Sequence, residues 1–228
     1  LACVLVPPAG SPLIHGLKGP TDRPEQIPYV KAGFAVVSFD ISGATTATSD
    51  SKELRDAIRA FRNAQLGVND AFEALAIARA KYPQIDRDRV YVAGHSSAAT
   101  LALQIASSTN RVRACVAYAP VCDFEERFGA KWIETLDEMV PGMARTLRVA
   151  APKNRVSEFH CPLFLFHALD DSNVSPATVI AFKNDLVRKG VAVDYIAATS
   201  GDHYDSMIRQ GIPKAIQWLK RIDDAAKR

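Results

Sequence analysis

The chain has 228 residues, of which 48% are hydrophobic and 23% charged, with a formal net charge of +3. That length allows one compact domain able to bury a core without disulfides or structural metal, expected to span 1–228. The small charge excludes a strongly basic nucleic-acid binder: the densest basic stretch carries four basic residues between Arg145 and Arg155, without interleaved aromatics.

No run of about 18 apolar residues exists to cross a membrane, so a soluble protein is expected. Leu1 leads directly into a strand-like run, as expected of a processed or trimmed N-terminus. Cys3, Cys115, Cys122 and Cys161 have no CxxC spacing, and three lie in or beside apolar runs. They read as buried thiols, with a Cys115–Cys122 pairing as the alternative.

In chain order, Ala2-Cys-Val-Leu-Val6 predicts a buried strand ended by Pro7 and Pro8, whose following loop turns on Gly10 and Pro12. A short helix is expected around Glu25 to Lys31, and Phe34-Ala-Val-Val-Ser-Phe39 predicts a second buried strand. Asp50 and Glu53 form a capping pair before Leu54, Ala57, Ile58 and Phe61, which recur at helical spacing. A further helix runs from about Val68 to Ala80.

Val90-Tyr-Val-Ala-Gly94 then predicts a strand, followed two residues on by Ser96 and an alanine-rich helix from Ala98 to Ala106. Strand, tight turn with a serine at its tip, then helix is the layout of a nucleophile elbow. Ala114 to Ala119 is another strand, and residues 121–160 hold no strand pattern and read as a helical excursion. Leu163-Phe-Leu-Phe-His167 and Val193-Asp-Tyr-Ile-Ala197 are the last strands. Between them lies a helix that ends in cations and Gly190, and a closing helix carries Ala215, Trp218, Leu219 and Ile222. Six strands alternating with helices give the fold class: α/β, a mostly parallel sheet covered on both faces.

Ligands of such sheets meet the loops at the carboxyl ends of strands. Three polar groups stand there: Ser96, the pair Asp170-Asp171, and His203. The order Ser, Asp, His is that of the α/β-hydrolase triad. The other four histidines fit a base less well: His95 lies inside the elbow, His167 within a strand, and His15 and His160 ahead of strands. Asp202, His203 and Asp205 lack a second histidine, so no metal is expected. A nucleotide-binding turn at Gly94 to Ala99 is disfavoured because Ala98 and Ala99 stand where a pyrophosphate needs glycines.

These segments together resemble the α/β-hydrolase superfamily, in particular the catalytic domain of the prolyl oligopeptidase type and its esterase relatives. The resemblance is carried by Gly94-His-Ser-Ser-Ala98, His167-Ala-Leu-Asp-Asp-Ser-Asn-Val174 and Gly201-Asp-His203. Gly33-Phe-Ala-Val-Val, Asp40-Ile-Ser-Gly43 and Ala119-Pro120 leading to Asp123 support it. It covers roughly residues 2–222 and includes no propeller and no counterpart of the fold's first two strands.

The resemblance implies Ser96 as nucleophile and His203 as base. It implies Asp171 as the orienting acid, three residues before Val174, with Asp170 the register-shifted alternative. One oxyanion donor would be the Ser97 N–H and the second Ala9 or Gly10, since the family's His-Gly dipeptide is replaced by Pro7-Pro8 and proline has no N–H. Ala98 stands where the family usually has glycine.

The implied enzyme is a serine hydrolase without cofactor, acting on a small-molecule ester or short peptide. Ester is favoured because related peptidases carry an access-restricting domain. A catalytically impaired binding protein of the same fold is the alternative of another class. Trp132, Met139 and Met143 in the excursion are candidate pocket lining, and ordinary core is the competing reading for each. The sequon Asn173-Val-Ser175 beside the acid reads as a chance occurrence.

Overall fold

The sheet is built from short β-branched and aromatic runs, each ended by a turn residue. The structure is a computed structural model and describes residues 1–8, 23–43, 45 and 49–226. Its strands are β1 (Cys3–Val6), β2 (Ala35–Ser38), β3 (Val90–His95), β4 (Ala114–Tyr118), β5 (Leu163–Ala168) and β6 (Val193–Ala198). They form one six-stranded sheet in the order β2-β1-β3-β4-β5-β6, with every pairing parallel.

The helices are α1 (Arg23–Lys31), α2 (Ser51–Asn63), α3 (Val68–Lys81), α4 (Ser97–Ser107), α5 (Phe124–Phe128), α6 (Ala130–Met139), α7 (Met143–Ala150), α8 (Pro176–Arg188) and α9 (Ile212–Ala226). The period-2 alternation of the strands divides the core in two. Leu5, Val92, Ala117 and Leu165 face one way, against α2, α3, α4, α8 and the excursion. Val4, Tyr91, Val116 and Phe166 face the other, against α1 and α9. This is the doubly covered α/β sheet that the sequence predicts.

Two differences are local. β2, expected to be buried, is only half-buried, because among the described residues it is an edge strand paired with β1 alone. The four cysteines are buried and free, so Cys115 and Cys122 do not pair. The excursion is helical as expected, formed by α5, α6 and α7 with two short 3₁₀ turns.

Helix ends follow their sequence signals. Asp50 accepts from the Lys52 and Glu53 amides at 2.8 Å while the Glu53 side chain accepts from the Asp50 amide at 3.0 Å, a complete capping box. α9 is entered through a wide turn, Met207–Gly211. Here a Cβ on Gly211 would come within 3.0–3.1 Å of the Tyr118 and Phe166 rings, so a side chain there would push α9 and those rings apart by a few tenths of an ångström.

The chain runs outward from β1 to β2, then crosses back to β3 and proceeds to the opposite edge. The reversal makes the carboxyl ends of β1 and β3 the topological switch point, where such sheets hold ligands.

Candidate active site

Ser96 is the single residue between β3 and α4, at that switch point. Its backbone is at φ 57° and ψ −122°, a region an L-residue occupies only when its surroundings enforce it. The enforcing contacts are visible: the Ser96 N–H donates to the Tyr118 carbonyl at 2.9 Å, and the Thr100 N–H donates to the Ser96 carbonyl at 3.1 Å.

Close packing inside the turn does the rest. A Cβ at Gly94 would lie 2.3 Å from the Ala98 carbonyl oxygen, so that position admits no side chain. Ala98 itself is fully buried, and its methyl is accommodated. Ser97 opens α4, so its N–H lies outside the helix's own hydrogen-bond ladder. Ala9 and Gly10 lie outside the described residues.

The two aspartates after β5 do different things. The Asp171 side chain is fully buried, and its Oδ2 accepts from His203 Nδ1 at 2.8 Å. Its Oδ1 accepts from the Asn173 and Val174 amides at 2.8 and 2.9 Å. Burial alone would raise its pKa, but the His203 bond and the two amides outweigh it and hold the carboxyl below the ordinary value. Asp170 instead accepts from the backbone N–H groups of Gly201 and Asp202 at 3.1 and 2.9 Å.

Asp202 returns the contact. Its carboxylate accepts from the Ser172 amide at 2.8 Å and from the Ser172 hydroxyl at 3.0 Å. The loops after β5 and β6 are therefore clasped in both directions, which fixes His203 over Asp171. Arg127 of α5 donates to both oxygens of Asn173, so this side chain of the sequon is engaged from the excursion.

His203 also rests on the elbow. The ring of His95, the residue before Ser96, lies 4.5 Å from the His203 ring. Its Nε2 is 2.9 Å from the His203 carbonyl oxygen, which can only accept, so that nitrogen carries the proton. On its other side, His95 Nδ1 is 3.6 Å from a carboxylate oxygen of buried Glu25. Burial lowers the His203 pKa, the Asp171 hydrogen bond opposes that, and the charge of His95 adds to the lowering.

His95 and His167, whose positions in the elbow and in a strand do not mark them as bases, both reach the site. His167, fully buried in β5, lies 2.9 Å from the same Asp171 Oδ2. The signal for His167 in the sequence is a lone histidine in an otherwise apolar strand, four residues before the acid.

Beside the elbow lies an apolar cavity of about 80 Å³, lined by Pro8, Ser97, Phe128, Trp132, Leu136 and Met143 among others. Phe128 and Trp132 stack at 4.6 Å and are partly exposed, while Met143 is buried and also belongs to the core. Met139, the last residue of α6, packs partly buried against that core and does not line the cavity. Of the three expected lining residues, Trp132 and Met143 are therefore at the cavity.

An elbow serine at the switch point of this sheet, with a carboxylate–imidazole pair on the loops after β5 and β6, is the arrangement of the α/β-hydrolase fold. The profile of the prolyl oligopeptidase family matches residues 21–224, and the chain belongs to that family.

Solved structures agree on the fold. An acylaminoacyl peptidase of Pyrococcus horikoshii is 18% identical with a TM-score of 0.72 over 100% of this chain and 37% of its own. A puromycin-hydrolyzing peptidase of Mycobacterium tuberculosis is 18% identical, with a TM-score of 0.74 over 97% of this chain and 34% of its own. Acetyl xylan esterase 1 of Thermoanaerobacterium sp. is 20% identical, with a TM-score of 0.69 over 97% and 75%. The chain thus spans about a third of the length of these two peptidases and three quarters of the esterase. No curated protein sequence matches it significantly. Among the described residues, no helix is long and apolar enough to cross a membrane.

Proposed function

We propose that the chain hydrolyses a carboxylic ester through an acyl-enzyme on Ser96. Ser96 Oγ attacks the carbonyl carbon while His203 takes its proton and then delivers it to the departing alkoxide. Asp171 holds the imidazole's tautomer and stabilises the imidazolium. The Ser97 N–H, with a second donor from Ala9 or Gly10, receives the oxyanion. Water, deprotonated by His203, then releases the acid. No cofactor is needed for any of these steps.

The observation that carries this reading is the 2.8 Å bond from His203 Nδ1 to Asp171 on loops clasped beside the elbow. Ester over peptide rests on the cavity, whose roughly 80 Å³ suits a short apolar acyl group. An esterase, acetyl xylan esterase 1, is among the solved structures of the same fold. A small peptidase using the same residues is the second reading, favoured by family membership.

A fluorophosphonate probe tests the nucleophile. Wild type is expected to be labelled and Ser96→Ala not; an unlabelled wild type overturns the mechanism in favour of a non-catalytic binding protein, and a labelled Ser96→Ala overturns it by placing the nucleophile elsewhere. Hydrolysis of short p-nitrophenyl esters but not aminoacyl-nitroanilides is expected, and the reverse would establish the peptidase.

A further inference from the structure

The strand β5 reads Leu-Phe-Leu-Phe-His-Ala, and its one polar side chain, His167, is wholly enclosed. Its Nε2 lies 2.9 Å from Asp171 Oδ2 and 3.1 Å from the Val174 carbonyl oxygen. The carbonyl can only accept, so Nε2 carries the proton and is shared between the two oxygens. His167 Nδ1 is buried without a hydrogen-bond partner. A protonated Nδ1 there would be a buried cation with an unsatisfied donor, so the ring is neutral, with its one proton on Nε2.

Asp171 consequently accepts four N–H groups: two amides on Oδ1 and two imidazoles on Oδ2. That fills the acceptor capacity of a carboxylate and removes its freedom to rotate. We propose that His167 is a positioning residue that locks the Asp171 carboxylate and shares the oxygen on which His203 Nδ1 rests. This inference depends on the reading of Ser96, Asp171 and His203 as the reacting set.

Sharing has an electrostatic consequence. An oxygen already engaged by one N–H is a weaker acceptor for the next, so the imidazolium form of His203 is stabilised less than by an unshared carboxylate. The other groups facing His203 are His95 at the end of β3, with Glu25 and Tyr204 around it, and the neighbouring Asp202. None of these changes when His167 is replaced.

Leucine at this position keeps the apolar packing of β5 but donates to neither Asp171 Oδ2 nor the Val174 carbonyl. His167→Leu is expected to melt a few degrees below wild type, as the lost donor implies, while kcat falls about 10- to 100-fold. KM should be unchanged, since His167 is enclosed behind Asp171. The acidic limb of the rate profile should move upward by about half a pH unit or more as Asp171 turns wholly to His203.

Replacement by glutamine or asparagine isolates the donor. Gln places an amide N–H close to the position of Nε2 and should recover kcat to within a few-fold of wild type; Asn, whose amide falls short at the place of Nδ1, should not. These variants also decide the matter if the leucine protein does not fold.

The measurement is the pH dependence of kcat and kcat/KM on a p-nitrophenyl ester for the three variants beside Asp171→Asn. If Asp171→Asn is severely impaired but His167→Leu, or Asn and Gln alike, leave kcat and the acidic limb where they were, the positioning role is wrong and the triad stands. If Asp171→Asn is as active as wild type, the reading of the reacting set itself fails.

Discussion

The imidazoles of His95 and His203 lie 4.5 Å apart, and His95 Nε2 donates to the His203 backbone carbonyl at 2.9 Å. The elbow that raises Ser96 thus also supports the loop carrying the proposed base, through the residue immediately before the nucleophile. Losing that donor leaves the carbonyl without its partner, worth about 1 kcal/mol in ground-state ordering. His95→Phe, which keeps a ring but no N–H, is expected to lower kcat roughly 5- to 10-fold. His95→Gln should lower it less, and steady-state kinetics on an ester substrate distinguish the two.

Asp170 and Asp171 provide an internal comparison of adjacent carboxylates. Asp171→Asn removes the charge facing the imidazolium and is expected to reduce kcat by about 10³- to 10⁴-fold. Asp170→Asn retains one acceptor for the Gly201 or Asp202 amide, loosening the clasp without touching His203. Its kcat/KM should stay within about tenfold of wild type. Equal losses at both positions would show that the loop clasp, and not the carboxylate–imidazole pair, limits the rate.

At the elbow, Gly94→Ala should be far more damaging than its size suggests. The added methyl meets backbone, the Ala98 carbonyl at 2.3 Å, and no rotamer relieves the overlap. A loss of about 3 kcal/mol is expected, lowering the melting temperature by roughly 6–12 °C together with the loss of activity. Ala98→Gly opens space in the same turn and is expected to keep activity, at about 1 kcal/mol for a glycine inside α4.

How far the residues alone led is clearest at the two ends of the site. Gly94, Ser96 and the apolar strand before them carry a local signal, because the steric demands of the elbow act within five residues. The divided roles of Asp170 and Asp171 rest on partners 31 and 32 residues away: those of Asp170 are amides of the loop after β6, which no spacing rule reveals. The elbow and strand positions of His95 and His167 argue against a base by local pattern, although those placements aim them at His203 and Asp171. The half-burial of β2 is hidden for a related reason. Val36 and Val37 match a buried strand, but burial depends on which strands flank it, and that is a property of the sheet order.

The cavity beside Ser97 makes a prediction about preference rather than rate. Trp132 lines it, stacks on Phe128 and is 38% exposed, so its removal disturbs the core little. Trp132→Ala is expected to raise KM for butyryl and benzoyl esters about 10-fold, a loss of about 1.4 kcal/mol of apolar contact. Acetyl esters, too short to reach the ring, should change little. An equal change across the series would place the acyl group elsewhere.

Acidification should act on activity and stability with the same sign. His203 must be neutral to take the serine proton, and burial, with the charge of His95 added, holds its pKa below 6.5 despite the Asp171 bond. The acidic limb of kcat/KM should therefore have its midpoint below 6.5. For stability, burial likewise depresses His167, and Asp171 is held below 3.8 in spite of its burial by His203 and two backbone amides. Each of these groups binds fewer protons folded than unfolded, so stability rises with pH wherever they titrate. The contribution of the two histidines is complete above 6.5 and is lost as pH falls through their folded values; that of Asp171 follows below 3.8. Urea unfolding at about pH 8 and about pH 5 should show the lower stability at the acidic value. His203→Gln should narrow the difference by removing one of the two histidine contributions. A protein equally stable at both values would mean that these imidazoles are not held neutral by the fold.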